Sequence, residues 1–165
     1  MSKTLIAFGT RFGATEKSAG VIAKVLKEKF NHDVEVINLS NQKEIIDLSK
    51  FDNIIVGSSV AQFSWTKTAK KFLKKDFRGK RLFVFISSAG LTYPNLVKGD
   101  MKKYNRWKRL FLDRVVKKNA SIEPTSTAVF GGWIENQGQP GVYSLYNWKE
   151  EDAVKWAEEI GELVG

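Results

Sequence analysis

Residues 7–16 read AFGTRFGATE, and they join a short apolar run to a long helical pattern. The run at 4–8 predicts a buried strand, and the apolar residues at 19, 22, 23, 26 and 30 recur at helical spacing. A turn of glycines and hydroxyls lies between the two. The first N–H groups of a helix are unpaired, and the helix dipole attracts negative charge. The junction therefore predicts an anion-binding loop.

The side chains of this loop favour a phosphate group as the anion. Thr10 and Thr15 can each donate a hydroxyl proton to a phosphate oxygen, and Gly13 lets the backbone approach closely. Arg11 adds a positive charge with forked donors. The loop lacks the lysine of a Walker A motif and the third glycine of a dinucleotide fingerprint. A helix cap without a ligand is the alternative.

A known family has a loop of this form. The flavodoxins hold the phosphate of FMN in a T/S-x-x-G-x-T loop, which Thr10-Arg11-Phe12-Gly13-Ala14-Thr15 resembles. The arginine is similar to the flavodoxin-like family that includes the anaerobic-type protoporphyrinogen oxidases. The likeness continues at 51–59, where Phe-Asp precedes a strand ending in Gly-Ser-Ser, and at Asn147-Trp148, which opens the last helical pattern. It covers nearly the whole chain and implies FMN as the cofactor.

The 165 residues predict one α/β domain, 1–165, that is long enough to bury a core. Strands are expected near 3–8, 33–38, 53–57, 81–87 and 125–130, and helices near 13–30, 66–75, 100–118 and 148–163. The strands are continuous apolar runs, as expected when helices cover both faces. This alternation predicts a flavodoxin-like, doubly wound, five-stranded parallel sheet in the order 2-1-3-4-5. Ligands of such sheets bind beyond the carboxyl ends of the strands, between the first and third.

The second candidate loop follows the third strand. The resemblance implies that its backbone passes the redox-active edge of the flavin. Phe63 or Trp65 could stack on the ring, with the alternative that Trp65 starts the next helix and packs inward. Flavodoxins that stabilise the half-reduced flavin commonly have a glycine here, which lets a peptide flip and offer its carbonyl to the flavin N–H. This loop has no glycine between Ser58 and Trp65, and flipping a non-glycine peptide is costly. A two-electron cycle is therefore more plausible than in a standard flavodoxin. The cofactor-binding residues assigned here are Ser58, Ser59, Val60, Ala61, Gln62, Phe63 and Trp65.

The third candidate loop follows the fourth strand. By family likeness it supplies backbone donors to the pyrimidine edge of the flavin, which would stabilise charge on the reduced cofactor. Tyr93 could lie against the ring, or it is a turn aromatic beside Pro94. Trp133, which follows the last strand, could line the same mouth. The cofactor-binding residues assigned here are Ser88, Ala89, Gly90, Leu91, Tyr93 and Trp133.

Charge gives a second clue, because flavodoxins are typically acidic and this chain carries +9. Residues 63–118 hold seventeen Lys and Arg against three Asp, and this block brackets the second and third loops. A solvated helix face is the plain explanation. The asymmetry also favours an acidic redox protein as partner, an anionic substrate such as a porphyrinogen, or an anionic membrane surface. Nucleic acid is a further alternative, although no nucleic-acid motif accompanies the charge.

Other chemistry finds little support. The absence of cysteine excludes disulfides, thiolate metal sites and thiol catalysis. The lone His32 is expected on the surface, and no catalytic or metal-binding residues are assigned. No apolar run resembles a signal peptide or a membrane span, so the cytoplasm is the expected compartment. The long basic insertion of the protoporphyrinogen oxidases is largely absent after the fifth strand.

The sequence therefore predicts an FMN-binding, flavodoxin-like electron-transfer protein that serves an acidic redox partner. The first alternative is an FMN-dependent oxidoreductase of the protoporphyrinogen oxidase or quinone reductase type. The second is a cofactor-free basic module that binds nucleic acid.

Overall fold

The computed structural model describes residues 1–90, 99–136 and 138–165, and it contains the expected parallel sheet. The five parallel strands are β1 (Lys3–Gly9), β2 (Asp33–Asn38), β3 (Asn53–Ala61), β5 (Arg81–Ser87) and β6 (Ser126–Phe130). They lie in the order β2-β1-β3-β5-β6, which confirms the predicted topology. A two-residue strand, β4 (Ser64–Trp65), turns back antiparallel onto the end of β3. The third strand is thus longer than predicted.

The helices fall where the apolar spacing predicts them. They are α1 (Ala14–Phe30), α2 (Lys67–Leu73), α3 (Met101–Lys108), α4 (Arg114–Asn119) and α5 (Glu150–Val164). A π-helical turn, Arg109–Asp113, joins α3 to α4, so the single helix expected near 100–118 changes its winding midway. A 3₁₀ turn, Leu48–Lys50, precedes β3.

The strands have buried residues on both faces, which separates the core into two layers. In β1, Leu5 and Ala7 pack with α2 and α4, whereas Ile6 and Phe8 pack with α1 and α5. Burial of each large apolar side chain contributes roughly 1.5–3 kcal/mol. Gly57 in β3 is required by packing, because a Cβ there would overlap the Phe85 ring. The core thus lies on both sides of the sheet and leaves the strand ends free for the site.

A second sheet of two antiparallel strands follows β6. It consists of β7 (Trp133–Glu135) and β8 (Tyr143–Tyr146), which the sequence did not predict. Within 1–90, 99–136 and 138–165, no helix combines the length and the apolar character that crossing a membrane requires.

His32 is buried, so its expected surface position is wrong. The helix α1 ends at Asn31 in a left-handed conformation, and the His32 N–H donates to the Leu26 carbonyl at 3.1 Å. This helix cap turns the chain inward. The imidazole Nδ1 then lies 3.1 Å from the Thr4 hydroxyl, and that hydroxyl accepts from the Asn53 side-chain amide at 3.1 Å. Burial, and next the charge of the N-terminal amino group, lower the pKa of His32.

Candidate functional site

A cavity of about 560 Å³ opens at the carboxyl ends of β1 and β3, where the strand order reverses. This is the position that the sheet topology predicts for a ligand. Five segments form its wall, and all three predicted loops contribute. The lining residues are Thr10, Arg11, Phe12, Ala14, Ser59, Val60, Ala61, Gln62, Phe63, Ser87, Ser88, Ala89, Gly90, Lys103, Trp107, Phe111, Gly132, Trp133 and Ile134.

The first loop is held in shape by its own threonine. The Thr10 hydroxyl accepts from the Gly13 N–H at 2.9 Å, so one part of the capping alternative is present. Gly13 has a φ of 100°, which a glycine adopts without strain. It is the N-cap residue of α1 and, having no side chain, leaves the first N–H groups of the helix without a side-chain cap. The loop therefore presents the start of α1 to the cavity as a site suited to an anion.

Thr15 supplies an independent sign of a ligand. Its side chain is fully buried, and its hydroxyl has no hydrogen-bond partner among the described residues. Leaving such a group unpaired costs about 1–3 kcal/mol. The Ser87 hydroxyl, on the cavity wall, is buried and unpaired in the same way. Thr15 and Gly13 do not themselves line the cavity, but both adjoin Ala14, which does. The two orphaned hydroxyls fit a cofactor that carries a phosphate and polar ring edges.

Arg11 lines the cavity, and its guanidinium is bonded to the neighbouring hairpin. Its guanidinium donates to the backbone carbonyls of Ser59 at 3.1 Å, Ser64 at 3.0 Å and Trp65 at 3.0 Å. The hydroxyls of Ser59 and Ser64 lie 3.4 and 3.3 Å from it. Burial lowers the pKa of Arg11. The arginine thus connects the first loop to the β3–β4 hairpin and has its forked donors occupied there.

The hairpin between β3 and β4 turns through Gln62 and Phe63. Both have positive φ, 51° and 63°, although neither is glycine. A two-residue hairpin turn of this kind normally uses Asn-Gly or Asp-Gly. The left-handed conformation costs a residue with a Cβ roughly 1–2 kcal/mol. The turn is therefore strained, and it holds the Phe63 side chain 75% exposed on the cavity wall.

Two residues assigned to the second loop do not reach the cavity wall. Trp65 is 5% exposed, and its indole N–H donates to the Phe111 carbonyl at 2.6 Å. It packs in the core, so its expected stacking on a flavin ring is wrong and the inward alternative is correct. The buried Ser58 hydroxyl donates to the Ser59 carbonyl and accepts from the Thr66 N–H. These contacts make Ser58 a support for the start of α2.

An aromatic wall, defined here as Phe63, Trp107 and Phe111, closes one side of the cavity. The Trp107 and Phe111 rings stack with centroids 5.3 Å apart, and Phe63 lies about 6 Å from both. Lys103 lines the cavity one helical turn before Trp107. These helical residues were not among those predicted to bind the cofactor. The spacing of 103, 107 and 111 along one helix face was the available signal.

The opposite side contains the third loop and Trp133. Ser88, Ala89 and Gly90 line the cavity, whereas Leu91 and Tyr93 lie outside the described residues. The Trp133 indole N–H donates to the Phe12 carbonyl at 2.7 Å, and its ring stacks on Tyr146 at 5.3 Å. Trp133 is therefore fixed to both the first loop and the β7–β8 hairpin.

The charge around the site is uneven. Helices α2, α3 and α4, with the turn between the last two, carry eleven Lys and Arg against one Asp. The α5 helix on the other face carries six acidic residues against one Lys. Three ion pairs are found in the described part of the chain, and none involves α2, α3 or α4. These cations are therefore available to an acidic partner or substrate.

Comparison with known proteins gives one family. The family model of the flavodoxin domain matches residues 5–155. Among solved structures, oxidised flavodoxin 1 from Bacillus cereus is similar at 22% identity and a TM-score of 0.60, over 98% of this chain and 95% of that one. A short-chain flavodoxin associated with a non-canonical PDU bacterial microcompartment is similar at 15% identity and a TM-score of 0.62, over the whole of both chains.

A third similar structure is that of a protein described as a reductase and not as a flavodoxin. The chain is similar to a putative quinone reductase from Klebsiella pneumoniae at 11% identity and a TM-score of 0.54, over 99% of this chain and 84% of that one. Structural likeness at these identities shows the fold alone.

Proposed function

The chain belongs to the flavodoxin-domain family, and from that premise we propose that it binds FMN in the cavity and transfers electrons through it. The observation that carries this proposal is the fully buried, unpaired Thr15 hydroxyl in the turn that begins α1. A core position without a ligand would favour an apolar side chain there, because an unpaired hydroxyl is costly. A phosphate oxygen would satisfy both this hydroxyl and the start of the helix.

Each part of the cavity suits a part of FMN. Thr10, Thr15 and the N–H groups at the start of α1 would hold the phosphate, and Ser88–Gly90 with Ser87 would bond the polar ring edge. Phe63 on the hairpin would contact the ring system. Bound FMN would supply the redox chemistry, since the chain has no cysteine and offers no redox group of that kind. The protein's contribution is binding, orientation and the exclusion of water.

The binding experiment uses the apoprotein and measures FMN affinity by fluorescence quenching. Thr15→Val keeps the shape of the side chain but removes the hydroxyl, and we expect the affinity to fall about tenfold or more. Thr15→Ser should retain most of it. The matched control is Thr125→Val, since Thr125 is exposed and lies just before β6, away from the cavity. Failure of the wild-type protein to bind FMN would contradict the proposal and favour the basic module.

We propose an acidic redox protein as the partner. A carrier has to bring its cofactor edge close to that of the partner, and the cavity is lined by Lys103 and Trp107 of α3. The cationic helices α2 and α4 pack in the same core layer as Trp107. Surface charge of one sign raises the rate of association with oppositely charged proteins, and salt suppresses it. The proposed partner therefore carries carboxylates around its own redox centre.

The partner experiment measures the rate of electron transfer to an acidic plant-type ferredoxin against ionic strength. We expect the rate to fall by about tenfold or more between low and physiological salt. The double variant Lys70→Glu, Lys71→Glu on α2 should lower the low-salt rate. The matched pair Lys24→Glu, Lys27→Glu on α1 carries the same charge change on the other face and should have a small effect. Equal losses in both pairs would contradict docking at α2.

An FMN-dependent reductase of the same fold is the second candidate. The observation that favours it is the aromatic wall with Lys103 beside it, which could receive the ring of a quinone or the carboxylates of a porphyrinogen. Anaerobic reductive titration of the FMN-loaded protein distinguishes the two. Reduction in separate one-electron steps supports the carrier, whereas a single two-electron step with rapid quinone turnover supports the enzyme.

A further inference from the structure

One arginine holds both strands of the β3–β4 hairpin. Two nitrogens of the Arg11 guanidinium donate to three carbonyls, that of Ser59 on β3 and those of Ser64 and Trp65 on β4. All three bonds measure 3.0–3.1 Å, and they span 48 to 54 residues of sequence. A guanidinium suits this task because its donors are fixed in one plane and it stays charged.

The hairpin needs such support. It has only two residue pairs, Val60 with Trp65 and Ala61 with Ser64, and hairpins this short are marginal by themselves. Its turn also places Gln62 and Phe63 in the left-handed region without the help of a glycine. A strained conformation of this kind persists only where surrounding contacts overdetermine it. Core packing of Val60 and Trp65 supports the base of the hairpin, and the Arg11 bonds join both of its strands to the first loop.

The conformation of the hairpin turn determines where Phe63 lies in the aromatic wall. Phe63 is one of the two strained residues, so the conformation of the turn determines the direction of its side chain. The centroid of its ring lies 6.0 Å from that of Trp107 and 5.9 Å from that of Phe111. If the turn relaxed, Phe63 would leave its place beside the stacked pair. The conformation of two residues thus controls one side of the cavity.

We propose that Arg11 is a positioning residue, which locks the Gln62–Phe63 turn and so forms the aromatic wall before any cofactor binds. This role rests on the proposed function for its purpose, a flavin ring beside Phe63, but the lock itself belongs to the free protein. It differs from a phosphate ligand, since both terminal nitrogens of the guanidinium, which form the fork that would grip a phosphate, donate to the hairpin. Pre-forming a site reduces the ordering that a ligand has to impose, which raises affinity.

The first test is amide hydrogen exchange of the apoprotein, which involves no cofactor. In Arg11→Met and in Arg11→Lys, we expect the amides of residues 60–65 to exchange about tenfold faster or more, while those of β1 and β5 keep their rates. Lysine keeps the charge but lacks the fork. The matched control is Arg78→Met, since Arg78 forms its bidentate pair with Asp76 in an exposed turn. Unchanged exchange at 60–65 in Arg11→Met would overturn the proposal.

A rescue variant separates a local lock from general destabilisation. Replacing the turn with Asn-Gly, by Gln62→Asn and Phe63→Gly, supplies the residues that prefer this hairpin. In the Arg11→Met background, these changes should restore slow exchange at the remaining hairpin amides. Fast exchange that persists throughout the protein would show that Arg11 supports the fold as a whole, which would overturn the proposed local role.

The second test compares FMN with riboflavin, which lacks the phosphate. If Arg11 acts through the hairpin, Arg11→Lys weakens both ligands by a similar factor. If Arg11 instead binds the phosphate, the loss is confined to FMN, and lysine restores much of it. That second pattern would overturn the proposal while leaving FMN binding intact. Absence of binding by the wild-type protein would overturn the proposed function and leave the exchange result standing.

Discussion

Buried polar groups are hydrogen-bonded to one another at one end of the sheet, whereas two of those at the other end lack partners in the part of the chain that the structure describes. At the amino end, Thr4 of β1 joins Asn53 of β3 to His32, the residue just before β2, by hydrogen bonds. At the carboxyl end, the hydroxyls of Ser87, on the cavity wall, and of Thr15, next to the lining residue Ala14, are buried without a partner among the described residues. Asn53 is the partial exception, because its carbonyl oxygen also lacks a partner in the described part of the chain.

This difference assigns different tasks to the two ends. Polar groups that bond one another contribute to the stability of the free protein, whereas orphaned groups cost stability until a ligand satisfies them. Substitutions at the amino end should therefore change unfolding and spare FMN binding. Substitutions at the carboxyl end should do the reverse. Natural sites often sacrifice stability in this way.

The largest effect is expected from the double variant Thr10→Ala, Thr15→Ala. It removes both hydroxyls of the first loop, and each hydrogen bond to a charged group contributes about 1.5–3 kcal/mol. We expect FMN affinity to fall on the order of a hundredfold or more, as measured by fluorescence titration of the apoprotein. Unchanged affinity would show that the loop does not hold the phosphate.

The free energies of unfolding of single variants at Thr15 and Thr10 sharpen the comparison. Thr15→Val removes the unpaired hydroxyl and keeps the volume of the side chain, so it should leave the free energy of unfolding of the apoprotein unchanged or raise it. Thr10→Ala also loses the bond to the Gly13 N–H and should cost about 0.5–1.5 kcal/mol. Urea denaturation measures both changes.

The next effect belongs to the amino end. Thr4→Val replaces the hydroxyl that joins His32 to Asn53 and leaves two buried polar groups without their partner. We expect the free energy of unfolding to fall by about 1–3 kcal/mol, with FMN affinity unchanged. A loss of affinity comparable to that of the Thr15 variant would contradict the separation of the two ends.

A smaller effect is expected from Phe63→Ala at the cavity wall. The ring is largely exposed, so its loss should hardly alter unfolding. Contact between aromatic rings contributes about 0.5–1.5 kcal/mol beyond the buried area, which predicts a several-fold loss in flavin affinity. Riboflavin and FMN should be affected equally, since the phosphate is not involved. A loss confined to FMN would place Phe63 elsewhere.

Local patterns explain what the sequence could predict. The strands could be predicted because a continuous apolar run, such as 4–8 or 82–86, is a local signal of a buried strand. Their order follows from the alternation of such runs with helical patterns. The first loop was found for the same reason, since Thr10, Gly13 and Thr15 are close in sequence. The family resemblance identified the second and third loops.

The remaining features depend on contacts between distant segments. Trp107 and Phe111 reach the cavity through tertiary packing, and Arg11 bonds carbonyls about fifty residues away. His32 followed a helix and looked exposed, although the left-handed Asn31 turns it onto Thr4. No local pattern encodes such pairings. The β7–β8 hairpin was missed because glycines and a proline around residues 138–141 indicate only a loop.

The smallest effect is a pH dependence confined to the amino end. Thr4 accepts from Asn53, so its own proton is available to the Nδ1 of a neutral His32. The pKa of His32 in the folded protein is lowered from 6.5, so the unfolded chain binds a proton more readily. Stability should therefore be complete above 6.5 and decline as the pH falls below it, levelling off below the folded pKa.

Urea denaturation about one pH unit above and below 6.5 measures this decline, and the difference between wild type and His32→Gln isolates the histidine. Glutamine does not titrate, so this variant should lose that part of the pH dependence. At each pH, FMN affinity should be the same in wild type and variant, since the loop at the other end contains no histidine and the titration of the FMN phosphate affects both proteins equally. A histidine-dependent change in affinity would mean that β1 couples its two ends, and that the stability and binding tasks are not separate.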